Sequence, residues 1–230
     1  MRPRFAGRLG LADHVTVTNA AVGFVAVVAA AVDPSLAARV ILLGAILDAI
    51  DGIVARWRGG TQYGPHLDSL ADVATFGVAP AFTVVALGGT IGSSSMPWWE
   101  QTAWIGIPAV FVATAVVRLG LYTALDVGNS STEGAQTTLA ATLIATGILA
   151  GLGPVSILTG TALLSLAMLA PVTYPDLWTR DALVMGVVQG LAVLFPSALD
   201  RVFPTVLFAW ALGYLLLSPR YYPRDEGKRS

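Results

Sequence analysis

Apolar stretches of bilayer-spanning or nearly spanning length recur from one end of the chain to the other, and this restricts what it can fold into. They fall at about 15–33, 36–57, 66–89, 102–125, 136–151, 154–171, 182–196 and 203–218, separated by Gly, Pro or charge. A hydrocarbon core about 30 Å thick takes roughly 20 apolar residues of helix, and within lipid every backbone N–H and C=O must find its partner inside the protein. We therefore expect an all-α polytopic membrane helix bundle of about eight transmembrane helices (six to eight). Gly151-Leu-Gly153-Pro154 leaves almost no loop between the fifth and sixth stretches, so two helices or one kinked helix both fit there. Only 12% of the 230 residues are charged, against about 25% in an ordinary soluble domain.

The ends read differently from the middle. Residues 1–13, with Arg2, Arg4 and Arg8 among Phe5, Leu9 and Leu11, have the pattern of a short interfacial amphipathic helix. The apolar run after them continues into a full span, so no cleavable signal peptide is read. Residues 14–218 form one membrane domain, without linker or repeat, and 219–230 a cytoplasmic tail. With eight spans and the N-terminus inside, Arg2, Arg4, Arg8, Arg56, Arg58, Arg118, Arg180, Arg220, Arg224, Lys228 and Arg229 gather on the cytoplasmic side, leaving Arg39 and Arg201 outside. The turn near Trp57–Pro65 then faces the cytoplasm. Trp98, Trp99, Trp104, Tyr221 and Tyr222 read as interfacial belt residues. The absence of cysteine excludes disulfides and thiolate metal sites, and no basic-aromatic patch points to nucleic acid.

Against this apolar background stand Asp48, Asp51, Asp68 and Asp72, within 25 positions. An acid near the hydrocarbon centre costs roughly 2.5–3.5 kcal/mol on insertion scales. Asp48 and Asp51 are spaced i,i+3 and Asp68 and Asp72 i,i+4, so each pair shares a helix face. Asp51 and Asp72 each lie seven residues from the turn, about 10 Å at 1.5 Å per residue, which puts both pairs at one depth. Oxygen-only ligands favour hard cations, Mg²⁺ or Mn²⁺, and acids around one or two such ions are the layout of phosphoryl transfer. Gly52 and Ala55 are small where a ligand would lie against the helix, and Arg56 stands where a guanidinium would grip a diphosphate. Proton relays, ion pathways and interhelical pairing are the other uses of buried membrane acids.

The pattern Asp48-x-x-Asp51-Gly52-x-x-Ala55-Arg56, then Gly64-x-x-x-Asp68-x-x-x-Asp72, resembles the signature of the CDP-alcohol phosphatidyltransferases. These are integral membrane enzymes that displace CMP from a CDP-activated lipid or alcohol. One departure is visible: seven residues separate Arg56 from Gly64 where the family commonly has eight, so a tighter turn is expected. Leu67-Asp-Ser-Leu-Ala-Asp-Val-Ala-Thr-Phe-Gly-Val-Ala-Pro80 is similar to the LDSLADVVSFGVAP stretch of the branch that makes phosphatidylserine or archaetidylserine. Ala115-Val-Val-Arg118-Leu-Gly-Leu121 resembles that branch's ALRLARFN segment, with Leu121 in place of the second Arg. Met168-Leu-Ala-Pro-Val-Thr-Tyr174-Pro175 resembles its late MVS…YP segment. The resemblance covers about residues 12–176; the last two helices contribute only apolar bulk.

The resemblance implies a role for each matching residue. Asp48, Asp51, Asp68 and Asp72 would hold one or two divalent ions, Mg²⁺ or Mn²⁺, and Asp72 would also take the proton from the acceptor hydroxyl. Gly52 and Ala55 would contact the cytidine nucleotide, Arg56 the diphosphate, and Gly64 would give close backbone approach. Arg118 is a candidate for the serine carboxylate or a phosphate, with snorkelling to the interface as its other reading. His66 and Phe76-Gly77 read as structural. The implied partners are a CDP-lipid (CDP-diacylglycerol or CDP-archaeol), L-serine, membrane lipid and, from the resemblance alone, a second copy of the chain as a homodimer. The expected location is the cell membrane with the active site facing the cytoplasm. Another acceptor, glycerol phosphate or inositol phosphate, is the alternative within the family, and a cation or proton transporter the alternative outside it.

Overall fold

Proline, glycine and aspartate cut the apolar sequence into helices. Pro34 opens α2 (Pro34–Arg58) just after Asp33, whose Oδ1 accepts from the Ser35 amide at 2.8 Å, an N-terminal cap with proline at the position that needs no donor. Gly59, at φ 83°, ends it, and Pro65 lies in the first turn of α3 (Gly64–Leu87). The computed structural model describes residues 8–89, 96–126, 131–175 and 179–221. Its other elements are α1 (Leu11–Ala30), α4 (Trp98–Leu125), β1 (Ser131–Glu133), α5 (Thr137–Ala150), α6 (Pro154–Met168), β2 (Thr173–Pro175), α7 (Thr179–Leu194) and α8 (Val202–Tyr221).

The described residues thus form the eight expected helices. By length and apolarity α1, α3, α4 and α8 each suffice to cross a membrane, and α5 and α6 are shorter apolar helices. The fifth and sixth stretches are two helices: Gly151 takes a left-handed cap at φ 85° and Pro154 starts the next helix. The positive φ is what requires glycine here; the nearest atoms, at the end of the flexible Arg201 side chain, could move aside.

Three features depart from the sequence reading. α1 begins at Leu11, so residues 11–13 are its first turn, and the expected boundaries at 13/14 and 218/219 fall inside α1 and α8. Residues 1–7 and 222–230 lie outside the described residues, and with them most of the interfacial segment and tail. β1 and β2 pair antiparallel, Thr132 opposite Tyr174, as a small ribbon beside the helices. Trp104 is 5% exposed and packs against Gly88, so it belongs to the core, unlike the exposed Trp98, Trp99 and Tyr221.

Two packing features position the site. Within α3, residues Val73–Val78 widen into a π-helical turn, with the Ala79 amide bonded back to Ala74. Pro80 follows, and because its ring cannot donate to the helix ladder and crowds the carbonyl four residues earlier, the widened turn sits where the regular ladder would break. Also, α1, α2 and α3 approach at small residues. A Cβ on Gly23 would meet the Thr75 backbone at 2.8 Å, and one on Gly44 the Thr75 methyl at 2.5 Å. Such close contact is how helices pack in a medium that gives little hydrophobic drive for association. Elsewhere on α2, Arg39 donates to the Val193 carbonyl at 2.7 Å and Gln189 to the Leu42 carbonyl at 2.7 Å, fastening α7. Phe76 is fully buried, and a Cβ on Gly77 would meet that of Ala115 at 3.4 Å, so this pair packs α3 on α4 as expected.

Gly23→Ala is expected to destabilise the protein by about 1–3 kcal/mol through overpacking against backbone. Gly106→Ala, with nothing within 4 Å of the new methyl, should be neutral or gain about 0.5–1 kcal/mol from helix propensity. Thermal unfolding in detergent compares the two; equal midpoints would contradict the close α1–α3 contact.

Candidate active site

The hairpin of α2 and α3, joined through residues 59–63, sets the two acidic pairs facing one another. Carboxylate oxygens of Asp48, Asp68 and Asp72 lie within 4.8 Å of one another. Asp48 and Asp68 are half-buried and Asp72 is buried, a gradient from opening to floor. Asp51 does not join this trio. It is buried on the α1 side, where its Oδ2 accepts from the Thr16 hydroxyl at 2.7 Å, yet it stays near enough for its charge to act on the other three.

The remaining candidates surround this cluster. Gly52 is half-buried, and the Arg56 guanidinium lies 3.6 Å from where a Cβ on it would stand. Arg56 therefore folds back over Gly52 on the α2 face, with Ala55 half-buried next to it. Gly64 opens α3, its amide bonded to the Thr61 carbonyl at 3.1 Å. Arg118 does not snorkel. It is buried at the end of α4, donates from Nη2 to the Thr132 hydroxyl at 3.4 Å, stacks 5.2 Å from the Tyr122 ring centre, and its charge reaches Asp72. The Ser69 and Thr123 hydroxyls are hydrogen-bonded to each other, tying α3 to α4 alongside the acids. His66 is exposed.

Asp72 Oδ1 is buried without a hydrogen-bond partner among the described residues. A buried carboxylate left so is costly, and a divalent cation shared with Asp48 and Asp68 would supply the missing partner. The residues present fit such an ion: hard oxygen donors, with no sulfur or imidazole in the cluster.

The sequence reading missed the contribution of α1. Asp13, Thr16 and Asn19 line one face of an otherwise apolar helix at i,i+3 spacing, and all three are buried. Thr16 holds Asp51. The Asn19 carbonyl accepts from the Thr75 hydroxyl at 2.9 Å, while its side-chain amide has no partner among the described residues. That polar stripe was a usable signal. Thr132 offered none, because only pairing with a strand some forty residues later brings it to Arg118.

Fold and site together define a membrane helix bundle with an all-carboxylate cluster suited to a hard cation. The family description CDP-alcohol phosphatidyltransferase matches residues 9–173, and the chain belongs to that family. Members use divalent metal ions, and the acidic cluster lies within the matched region. The chain is 34% identical over 123 residues to a CDP-diacylglycerol–serine O-phosphatidyltransferase of Saccharomyces cerevisiae, covering 50% of this chain and 41% of that one. It is 30% identical over 148 residues to an archaetidylserine synthase of Methanothermobacter thermautotrophicus, covering 62% and 59%. It is 38% identical over 93 residues to a CDP-diacylglycerol–serine O-phosphatidyltransferase of Mycobacterium leprae, covering 40% and 28%. The matched stretches thus span less than two thirds of the length of these curated relatives.

Thr16→Val removes the donor to Asp51 while keeping the side chain's shape, and should cost about 1–3 kcal/mol. A lowered unfolding midpoint in metal-free detergent is the expected reading; an unchanged midpoint would mean that Asp51 does not depend on α1.

Proposed function

We propose that this protein transfers the phosphatidyl or archaetidyl group of a CDP-activated lipid to the hydroxyl of L-serine, releasing CMP. The observation that carries this reading is the convergence of Asp48, Asp68 and Asp72, one oxygen of Asp72 lacking a partner among the described residues, beside the buried guanidinium of Arg118. The serine acceptor is supported by the names of the relatives. Asp48, Asp68 and Asp72 would hold one divalent ion, with Asp51, near enough for its charge to act on all three, joining them where a second ion binds; Mg²⁺ and Mn²⁺ are the best match to oxygen donors. When bound, such ions neutralise phosphate charge and favour displacement at phosphorus.

The chain's own groups divide the remaining work. Gly52 and Ala55 leave the α2 face clear for the nucleotide, Arg56 grips the diphosphate, and Gly64 lets it approach the backbone. Arg118 binds the acceptor's carboxylate through a bidentate-capable guanidinium held by Thr132 and Tyr122. Asp72 takes the proton of the serine hydroxyl; the hydroxyl oxygen bonds to the β-phosphorus as the bond to the CMP oxygen breaks. The lipid's tails stay in the bilayer and serine arrives from the cytoplasm, an orientation supported by eleven of thirteen basic residues falling on that side. The cell membrane as location and a homodimer as working state complete the proposal.

CMP release by purified protein, with CDP-diacylglycerol or CDP-archaeol, Mg²⁺ or Mn²⁺, and serine, glycerol phosphate or inositol phosphate in turn, is the test. Release confined to serine supports the proposal; release with a phosphorylated alcohol alone would reassign the acceptor, and metal-dependent ion flux without CMP would remove the enzyme. Asp72→Asn should lower turnover by roughly 10²–10⁴-fold, the usual worth of a general base, with the unfolding midpoint retained. Undiminished turnover would refute that role, and full activity in EDTA would refute the metal. Arg118→Gln should raise the KM for serine about tenfold or more, as loss of a charge-assisted bond does, and leave that for CDP-lipid unchanged.

A further inference from the structure

The first turn of α1 reaches into the turn between α2 and α3. Asp13 is 1% exposed, and its Oδ2 accepts two hydrogen bonds, from the Gly10 amide at 2.8 Å and from the Thr61 hydroxyl at 2.9 Å. Its other oxygen lies 3.5 Å from where a Cβ on Gly64 would stand. The Thr61 methyl in turn comes within 3.2 Å of the same position on Gly10. Thr61 is joined to Gly64 directly, since its carbonyl accepts the Gly64 amide at 3.1 Å, and its hydroxyl also accepts from the Tyr63 amide at 3.3 Å. One buried carboxylate thus fixes a turn that carries two adjacent glycines, Gly59 and Gly60, neither with any neighbour within 4 Å of a would-be side chain. Without that anchor the turn keeps only its internal bonds to Thr61, beside two glycines that restrict the backbone least.

We propose that Asp13, acting through Thr61, is a positioning residue for the diphosphate end of the active site. It holds the 59–63 turn so that the Gly64 backbone and Arg56, on either side of it, keep a fixed separation. This rests on the assignment of Gly64 and Arg56 to the nucleotide made above. Preorganisation of this kind lowers the ordering cost of binding, so its loss falls on substrate affinity and leaves the acids that carry the chemistry in place.

The experiment is steady-state CMP release with CDP-lipid varied at saturating serine and metal. Thr61→Val, nearly isosteric at a half-buried site, should raise the KM for CDP-lipid about five- to tenfold, the worth of one ordinary hydrogen bond, with kcat within twofold. Thr61→Ser, which keeps the hydroxyl, should restore the wild-type KM. Asp13→Ala should match Thr61→Val, and the double variant should be no worse than the worse single. A Thr61→Val enzyme with unchanged KM, or one impaired in kcat alone, overturns the proposal, and this holds even where Asp13→Ala does not fold. Arg56→Gln, run beside these, separates the two levels. If it raises the KM and Thr61→Val does not, the positioning role fails alone; if neither does, the nucleotide assignment fails with it.

Discussion

A carboxylate taken out of water must find positive charge or donors, and four of them within one hairpin govern how the rest of this bundle is arranged. Each acid is accommodated differently. Asp51 takes a hydroxyl from α1. Asp48 and Asp68 stay half-exposed at the opening. Asp72 is the most buried of the trio and keeps one oxygen without a partner among the described residues, with Arg118 near enough to feel its charge. A fully compensated cluster would be a structural element. One that leaves a buried oxygen unsatisfied carries a cost in stability that a bound cation would relieve.

The hairpin alone cannot maintain that arrangement, because two helices leave the flanks of the site open. α1 closes one flank, and it does so at glycine: Gly23 and Gly44 bring three helices close enough for Thr16 and Asn19 to reach their neighbours. On another, α4 supplies Arg118 and Thr123, and the short ribbon supplies Thr132. Helices thus carry the acidic cluster and Arg118, while the irregular turn at 59–63 is tethered to α1.

How far this could be read in advance depended on the range of the interaction. The facing acids follow from helical periodicity, a local property, and so do the helix ends marked by Pro34, Pro65 and Pro154. The common depth of the two pairs followed from counting residues on either side of one turn. Partner choice is long-range and escaped. Asp51 turned from the trio because a threonine 35 residues earlier was there to meet it, and Arg118 is buried because two distant strands pair. Trp104 illustrates the same limit. A tryptophan near a helix end suits a membrane interface and a core equally by composition, and the space beside Gly88 decided between them. The turn one residue short of the family pattern is tethered by a residue outside the pattern, Asp13.

Among the described helices α5 has almost no outward face; twelve of its fourteen residues are buried. At about 1.5 Å per residue it extends only some 21 Å, less than the roughly 30 Å of hydrocarbon. It has α2, α6 and α8 around it, and Leu207 and Ala211 of α8 are fully buried in the shared core. The family match ends at residue 173, before α8 begins. Yet a short helix enclosed by its own protein meets lipid until its last neighbour has been synthesised, so the bundle's centre is sealed only when α8 emerges. That span, which supplies none of the candidate site residues, is therefore the one whose arrival turns a string of inserted segments into a closed bundle.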